Sequence, residues 1–227
     1  MVDCGYTSNK SKNQPGELKI MRSDETIKYF TAEELNSFFK VLEKKTRSAE
    51  TDFSKKCAIR NEAMFKILYY CALRVTETTL LKRENFNNLR KEIYCKRLKG
   101  GRNNTLKIID EDILSSLERH IKENNPTSIL FYNFRNNKPL SRKTLYAIFQ
   151  KTCKAAKIKN TEKWHNHTLR HTRAIDLAES GLDLKDLQYW LGHAHISNTE
   201  IYFQFTSKQQ EVMYQKLSKS KRRKKHE

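Results

Sequence analysis

The sequence predicts a mainly helical α+β fold carrying a small antiparallel three-stranded sheet. Three observations carry that expectation. Apolar residues recur at helical spacing along most of the chain. One stretch between Glu92 and Ile109 abandons that period for two short runs around a Gly- and Asn-rich turn. A length of 227 residues suffices for one substantial core and not for two large domains.

Residues 1–27 are polar, contain Gly, Pro and Ser, and show no sustained apolar period, which predicts a flexible N-terminal arm. Folded structure is expected over residues 28–215. Thr31 followed by Glu33 and Glu34 reads as a helix N-terminus, with Leu35, Phe38, Phe39 and Leu42 as its buried stripe. A second helix is predicted from Lys56 to Leu73, with Ala58, Met64, Phe65, Leu68 and Tyr69 among its apolar positions, and a short one through Leu80 and Leu81. The runs IYCKRL and TLKII, flanking Gly100-Gly101-Arg102-Asn103-Asn104, predict a β-hairpin. Further helices are expected over 110–123, 141–156, 167–180, 183–191 and 197–216, with a third strand at Ile129 to Tyr132. Residues 216–227, with seven Lys or Arg against one Glu, predict a basic, solvated C-terminal tail able to meet phosphates without sequence preference.

Charge narrows the partner. Lys and Arg number 45 against 26 acidic residues, a net charge of +19. Such an excess points to a polyanion, because each Lys or Arg that meets a phosphate releases condensed counterions. No apolar run approaches the ~20 residues of a membrane-spanning helix, and residues 1–16 lack the apolar core of a signal peptide. The expected setting is cytoplasmic. Five scattered cysteines without a C-x-x-C pair argue against a disulfide framework or a cysteine zinc site, and Cys71, within the apolar run Phe65 to Leu73, reads as core. His167 and His171 have the i, i+4 spacing of helical zinc ligands, but no Glu stands between them, and Arg170 would oppose a cation. Neither metal nor cofactor is expected.

Breaking a DNA strand without metal requires a nucleophile, cationic groups to hold a phosphoryl centre that gains negative charge, and an acid for the departing sugar oxygen. Two guanidiniums beside a phenol would also favour its ionised form. The segment His165 to Tyr202, HNHTLRHTRAIDLAESGLDLKDLQYWLGHAHISNTEIY, holds most of these parts in one stretch.

Within it, His167-Thr168-Leu169-Arg170-His171 resembles the H-x-L-R-H box of the tyrosine recombinase (phage integrase) family. Leu191-Gly192-His193 and then Tyr202 follow at that family's usual spacing. Ala72-Leu73-Arg74-Val75-Thr76-Glu77 resembles its first arginine motif, G-L-R-x-x-E, with Ala72 in place of the glycine.

The resemblance implies roles residue by residue. Arg74 and Arg170 would grip the scissile phosphate. His167 and His193 would hydrogen-bond its oxygens, with His167 also assisting proton removal. Tyr202 would attack phosphorus, and Lys99, at the hairpin turn, would protonate the leaving 5′-oxygen, with Lys96 and Lys107 as neighbouring alternatives. Glu77 would orient Arg74, and His171 would support or act directly.

The implied activity is site-specific recombination of double-stranded DNA (integration, excision or inversion) through a 3′-phosphotyrosyl intermediate, with dimers to tetramers on DNA. Type IB topoisomerases, which use a similar residue set, and a non-enzymatic DNA-binding regulator are the alternatives. No core-binding domain of the kind that precedes the catalytic one in many relatives is visible. The chain therefore resembles the short, catalytic-domain-only recombinases, and accessory proteins become natural partners in site choice. The initial Met and terminal basic tail favour a complete chain.

Overall fold

The computed structural model describes residues 27–203. The predicted arm, the continuation of the last helix beyond Phe203, and the basic tail lie outside the described residues. Helix α1 (Ala32–Arg47) starts where Thr31 and Glu34 exchange side-chain bonds with each other's backbone N–H, at 3.2 and 3.0 Å, satisfying two donors that a helix start leaves open. Helix α2 (Asp52–Tyr70) begins four residues before its expected start, capped by Thr51 and Ser54. It runs through the centre of the molecule and packs on α1 and on α4 (Glu111–Asn124). Phe30, Phe38, Phe65 and Phe149 interlock around it with ring centroids 5.1–6.0 Å apart, at the separations favoured by offset and edge-on aromatic pairs.

Helix α2 stops at Tyr70, short of the predicted Leu73. Leu73 N–H reaches back to Leu68 C=O at 2.9 Å and Ala72 N–H to Tyr69 C=O at 3.0 Å, with Ala72 at φ +47°. This is the Schellman closure, in which a left-handed residue turns the chain sharply out of the helix. The chain then enters the short α3 (Val75–Thr79) and a three-stranded antiparallel sheet of β1 (Phe86–Asn87), β2 (Glu92–Cys95) and β3 (Asn104–Lys107), ordered β1-β2-β3. The hairpin pairs Glu92 with Lys107 and Cys95 with Asn104. Its strands are shorter than expected, and the connection is the whole segment 96–103 rather than the predicted turn of Gly100 to Asn104.

The third strand is a correction. It is Phe86–Asn87, paired with Ile93 and Glu92, and not Ile129 to Tyr132, which makes only isolated bridges to Lys82 and Pro139. Leu130 and Phe131 are adjacent and both fully buried, so that segment lacks the in–out alternation of a half-buried strand. A strand of two residues, for its part, is too short to display any period.

Helices α5 (Arg142–Ala155), α6 (Asn166–Glu179), α7 (Leu184–Leu191) and α8 (Ser197–Phe203) complete the fold, the last as far as it is described. A smaller apolar cluster, built from Ala72, Ala174, Ile175, Leu177, Ala178, Leu187, Leu191 and Tyr202, joins α6, α7 and α8. Cys71, Cys95 and Cys153 are buried free thiols. Among the described residues, no helix is long and apolar enough to cross a membrane.

Candidate active site

Two helix ends and one hairpin bring the predicted residues together. The Schellman closure of α2 places Arg74 at the N-cap of α3. Glu77, on the first turn of α3, accepts the Arg74 backbone N–H at 2.9 Å and its Nη1 at 2.8 Å, so the carboxylate fixes main chain and guanidinium together. Glu77 also accepts the Leu98 N–H at 3.0 Å, tying the hairpin to the arginine box. Burial pushes the Glu77 carboxyl up, but the N–H groups of Arg74 and Leu98 and the two guanidiniums outweigh it, holding the group ionised below its ordinary range.

The end of α7 repeats the device. His193 N–H bonds Gln188 C=O at 3.1 Å and Gly192 N–H bonds Tyr189 C=O at 3.0 Å, with Gly192 at φ +63°. His193 is thereby swung inward to 7% exposure, its Nδ1 2.9 Å from the fully buried Thr199 hydroxyl. Gly192 is required twice: for its φ, and because a Cβ there would fall 2.7 Å from Arg102 C=O and from Arg97 Cγ and Nε. The same carbonyl region docks the hairpin loop, since Arg102 N–H donates to Gly192 C=O at 3.1 Å.

Helix α6 supplies Arg170, 3% exposed, whose guanidinium donates to Ala72 C=O and, at 2.9 Å, to Leu191 C=O. Arg170 thus clasps the ends of both turning helices. One turn apart on the same helix, His167 and His171 have ring centroids separated by 6.4 Å. His167 is exposed towards the open side; His171 Nδ1 lies 2.9 Å from Tyr202 Oη. Tyr202, on α8, is 2% exposed. Lys99 sits exposed at the loop tip with φ +55° and adds to the positive field on His167. Lys107 lies at the far end of the hairpin, opposite Glu92, and Lys96 is exposed at the loop base.

The electrostatics follow from burial and an excess of guanidinium. Burial, then the charges of Arg74 and Arg97, pull Arg170 down to about 10. Burial, then the charges of Arg170 and Arg74, depress His167 and hold His193 at about 3, while burial, then His167 and Arg170, hold His171 at about 4. All three rings are neutral near pH 7. At Tyr202 the two guanidiniums favour the ionised form, as expected, without deciding its protonation. Burial raises its pKa by more than Arg170 and Arg74 lower it, so the phenol is protonated here.

Sequence reasoning missed Arg97, Asn104 and Thr199. Arg97 has no exposed side-chain surface and contacts Glu77, Asn104 and three backbone carbonyls. A signal was available: Ile93, Cys95 and Arg97 share the inward register of the hairpin, and a charge in that register needs partners. Thr199 carried no such signal. Among the described residues, no three His, Cys, Asp or Glu side chains are grouped to hold a metal ion.

Comparison with known proteins gives a consistent neighbourhood. Residues 28–209 match the phage integrase family. The chain is 33% identical over 153 residues to tyrosine recombinase XerA of Pyrococcus horikoshii, covering 66% of this chain and 52% of that protein. It is 31% identical over 176 residues to tyrosine recombinase XerD of Oceanobacillus iheyensis, covering 74% and 58%. The chain thus spans about half the length of the curated relatives it matches. Among solved structures, the XerH site-specific recombinase in its post-cleavage complex with a palindromic difH substrate superposes with a TM-score of 0.68 at 27% identity, covering 83% of this chain and 52% of that one.

Proposed function

The chain belongs to the phage integrase family, and from that premise we propose that it is a tyrosine site-specific recombinase that cleaves and rejoins double-stranded DNA. The observation that carries the proposal is one pocket of charge: three guanidiniums (Arg74, Arg97 and Arg170) around a single carboxylate, Glu77, beside a buried tyrosine whose hydroxyl already has an imidazole partner. Such a site lacks an anion, and a phosphodiester supplies one.

Tyr202 Oη attacks phosphorus, forming a 3′-phosphotyrosyl bond as the P–O5′ bond breaks. The phenol proton passes to His171 Nδ1, 2.9 Å away, whose ring is neutral and able to accept it. Arg74 and Arg170 hold the phosphoryl oxygens. With the Thr199 hydroxyl donating to its Nδ1, His193 carries its proton on Nε2 and donates to the phosphate; His167 does so from the open side. Lys99 gives a proton to O5′, a far stronger base than the incoming phenoxide. A 5′-hydroxyl from another strand then reverses the step, so the bond energy is retained in the covalent intermediate. Strand exchange needs at least two such sites on one DNA assembly, which makes a second copy of this chain the natural partner. A DNA-acting role fits a setting in the cytoplasm or nucleoid.

On a nicked suicide duplex, Tyr202→Phe is expected to abolish the covalent protein–DNA adduct while changing DNA affinity by less than about threefold, because it removes the nucleophile and not a phosphate contact. An adduct that survives this change, seen on a denaturing gel, would overturn the assignment.

A further inference from the structure

We propose that Arg97 is a positioning residue that fixes the Lys99 loop against the arginine box and the end of α7, so that its loss is felt specifically in protonation of the leaving 5′-oxygen. The inference rests on the reading of Lys99 as the general acid.

The loop that carries Lys99 cannot place it unaided. Lys99 and Gly100 both have left-handed backbone, at φ +55° and +72°, and both are exposed, so the tip is set by whatever holds its base. Arg97, two residues before Lys99, anchors that base beside the Leu98 N–H held by Glu77. Its backbone N–H donates to Asn103 Oδ1 at 2.8 Å, closing the loop on itself. Its Nε donates to Asn104 Oδ1 at 3.0 Å, across the hairpin. Its Nη2 donates to Cys71 C=O at 3.1 Å and to Trp190 C=O at 2.7 Å, reaching the ends of α2 and α7 in one group.

A planar guanidinium with five donors can hold three chain segments at fixed angles; a buried aliphatic side chain would fill the same space without orienting anything. The side chain has no exposed surface, so contact with DNA is not its task. The surroundings are shaped to admit it, since Gly192 lacks the Cβ that would lie 2.7 Å from Arg97 Cγ and Nε. Asn104 completes the clasp, donating from Nδ2 to Tyr189 C=O and Trp190 C=O at 2.6 and 3.1 Å. Arg170 binds Ala72 and Leu191 C=O, one residue along from two of the Arg97 acceptors, so the two guanidiniums divide the same helix ends between loop and phosphate.

The test uses suicide duplexes that differ in one atom. With oxygen at the bridging 5′ position the leaving group needs a proton; with sulfur it departs as a thiolate and needs none. Single-turnover adduct formation is measured on both substrates for the full chain and its variants. In Arg97→Lys, which keeps a cation beside Glu77 but cannot span three segments, the sulfur-to-oxygen rate ratio is expected to rise at least about tenfold over wild type, as it does in Lys99→Ala, because general-acid catalysis is the contribution lost. Arg170→Lys is expected to slow both substrates alike.

The ratio is taken within one preparation, so an unfolded fraction cancels. Should Arg97→Lys not fold, Asn104→Ala opens the same clasp from the opposite strand, and its ratio is expected to rise in the same direction. Equal slowing on both substrates overturns the proposal. If Lys99→Ala itself shows no sulfur rescue, the acid assignment falls and the role of Arg97 with it, while the adduct on Tyr202 stands.

Discussion

Two clusters of charge, each around a buried charged group, are built on opposite rules in this molecule. Between α1, α2 and α4, Lys66 is 2% exposed and surrounded by Asp112, Glu43 and Glu62 at 2.7, 3.2 and 3.3 Å, with Arg119 also on Glu62 at 2.7 Å. Two cations meet three carboxylates. Burial pulls Lys66 down, but its carboxylate partners outweigh it and hold the ammonium above its ordinary range. At the candidate site, Arg74 and Arg97 share Glu77, while Arg170 is held by backbone carbonyls, which also supply the remaining acceptors of Arg97. Burial pulls Arg170 to about 10, and its cationic neighbours add to the pull. Carbonyl dipoles hold a guanidinium in place without cancelling its charge. A compensated cluster contributes to the fold alone; an uncompensated one, kept in order by dipoles, is prepared for an anion from outside.

The largest expected effects come from removing one cation from each cluster. Arg170→Lys keeps the charge but loses the paired carbonyl clasp, and is expected to slow single-turnover cleavage by about 10²–10³-fold, the scale of losing one preorganised donor to a developing oxyanion. Lys66→Met should instead cost about 3 kcal/mol in urea unfolding, because it leaves buried Glu62 and its neighbours short of a cation, while cleavage by the folded protein changes by less than about threefold. The comparison breaks if Lys66→Met slows chemistry as much as Arg170→Lys does.

Histidines give a smaller and more discriminating test. His120 on α4 is fully buried, held between Leu130 C=O and Asn124, and lies at about 4, mainly through burial. His171 lies at about 4 through burial, then His167 and Arg170, and His193 at about 3 through burial, then Arg170 and Arg74. All three folded values lie below the ~6.5 of a free imidazole, so the unfolded chain binds more protons in the interval. Stability is therefore full above about pH 6.5 and falls as the pH drops towards 4, by on the order of 1–3 kcal/mol for each ring. Denaturant melts at pH 7, 5.5 and 4.5 check the slope. Imidazole NMR titration sharpens the contrast. A bound duplex supplies the missing negative charge and should raise His193 while leaving His120 where it is; an unmoved His193 would mean that the site's positive charge is already balanced in the free protein.

Much of this was legible in the sequence, for reasons that differ by residue. Tyr202, Arg170 and His193, which the structure brings together, were picked out by their resemblance to the family's motifs. Thr31 declared the start of α1 because a capping box is local chemistry. The third strand was misplaced because two residues show no period and because Leu130 and Phe131 imitate a strand while being buried side by side. The inward register of Arg97 was legible, but its partners were not, because Cys71, Glu77 and Trp190 are distant in sequence. The net protonation of Tyr202 was not legible because the guanidiniums, which do favour its ionised form, are visible as letters, whereas the burial that outweighs them arises only when α6, α7 and α8 pack.

The smallest expected effect concerns the one departure from the first arginine motif. Ala72 is left-handed at φ +47°, fully buried, and its carbonyl accepts from both Arg97 and Arg170. A left-handed alanine costs about 1–2 kcal/mol that a glycine does not. Ala72→Gly also loses a buried methyl worth about 0.8 kcal/mol, and the glycine adds freedom to the unfolded chain. The opposing effects nearly cancel, so Ala72→Gly is expected to shift unfolding stability by less than about 1 kcal/mol and, because the carbonyl stays in place, to leave cleavage within about twofold. Ala72→Val adds branching where the backbone is already strained and is expected to cost more than about 2 kcal/mol. If Ala72→Gly slowed cleavage without changing stability, the methyl, and not the carbonyl it carries into place, would be what keeps the two guanidiniums in order.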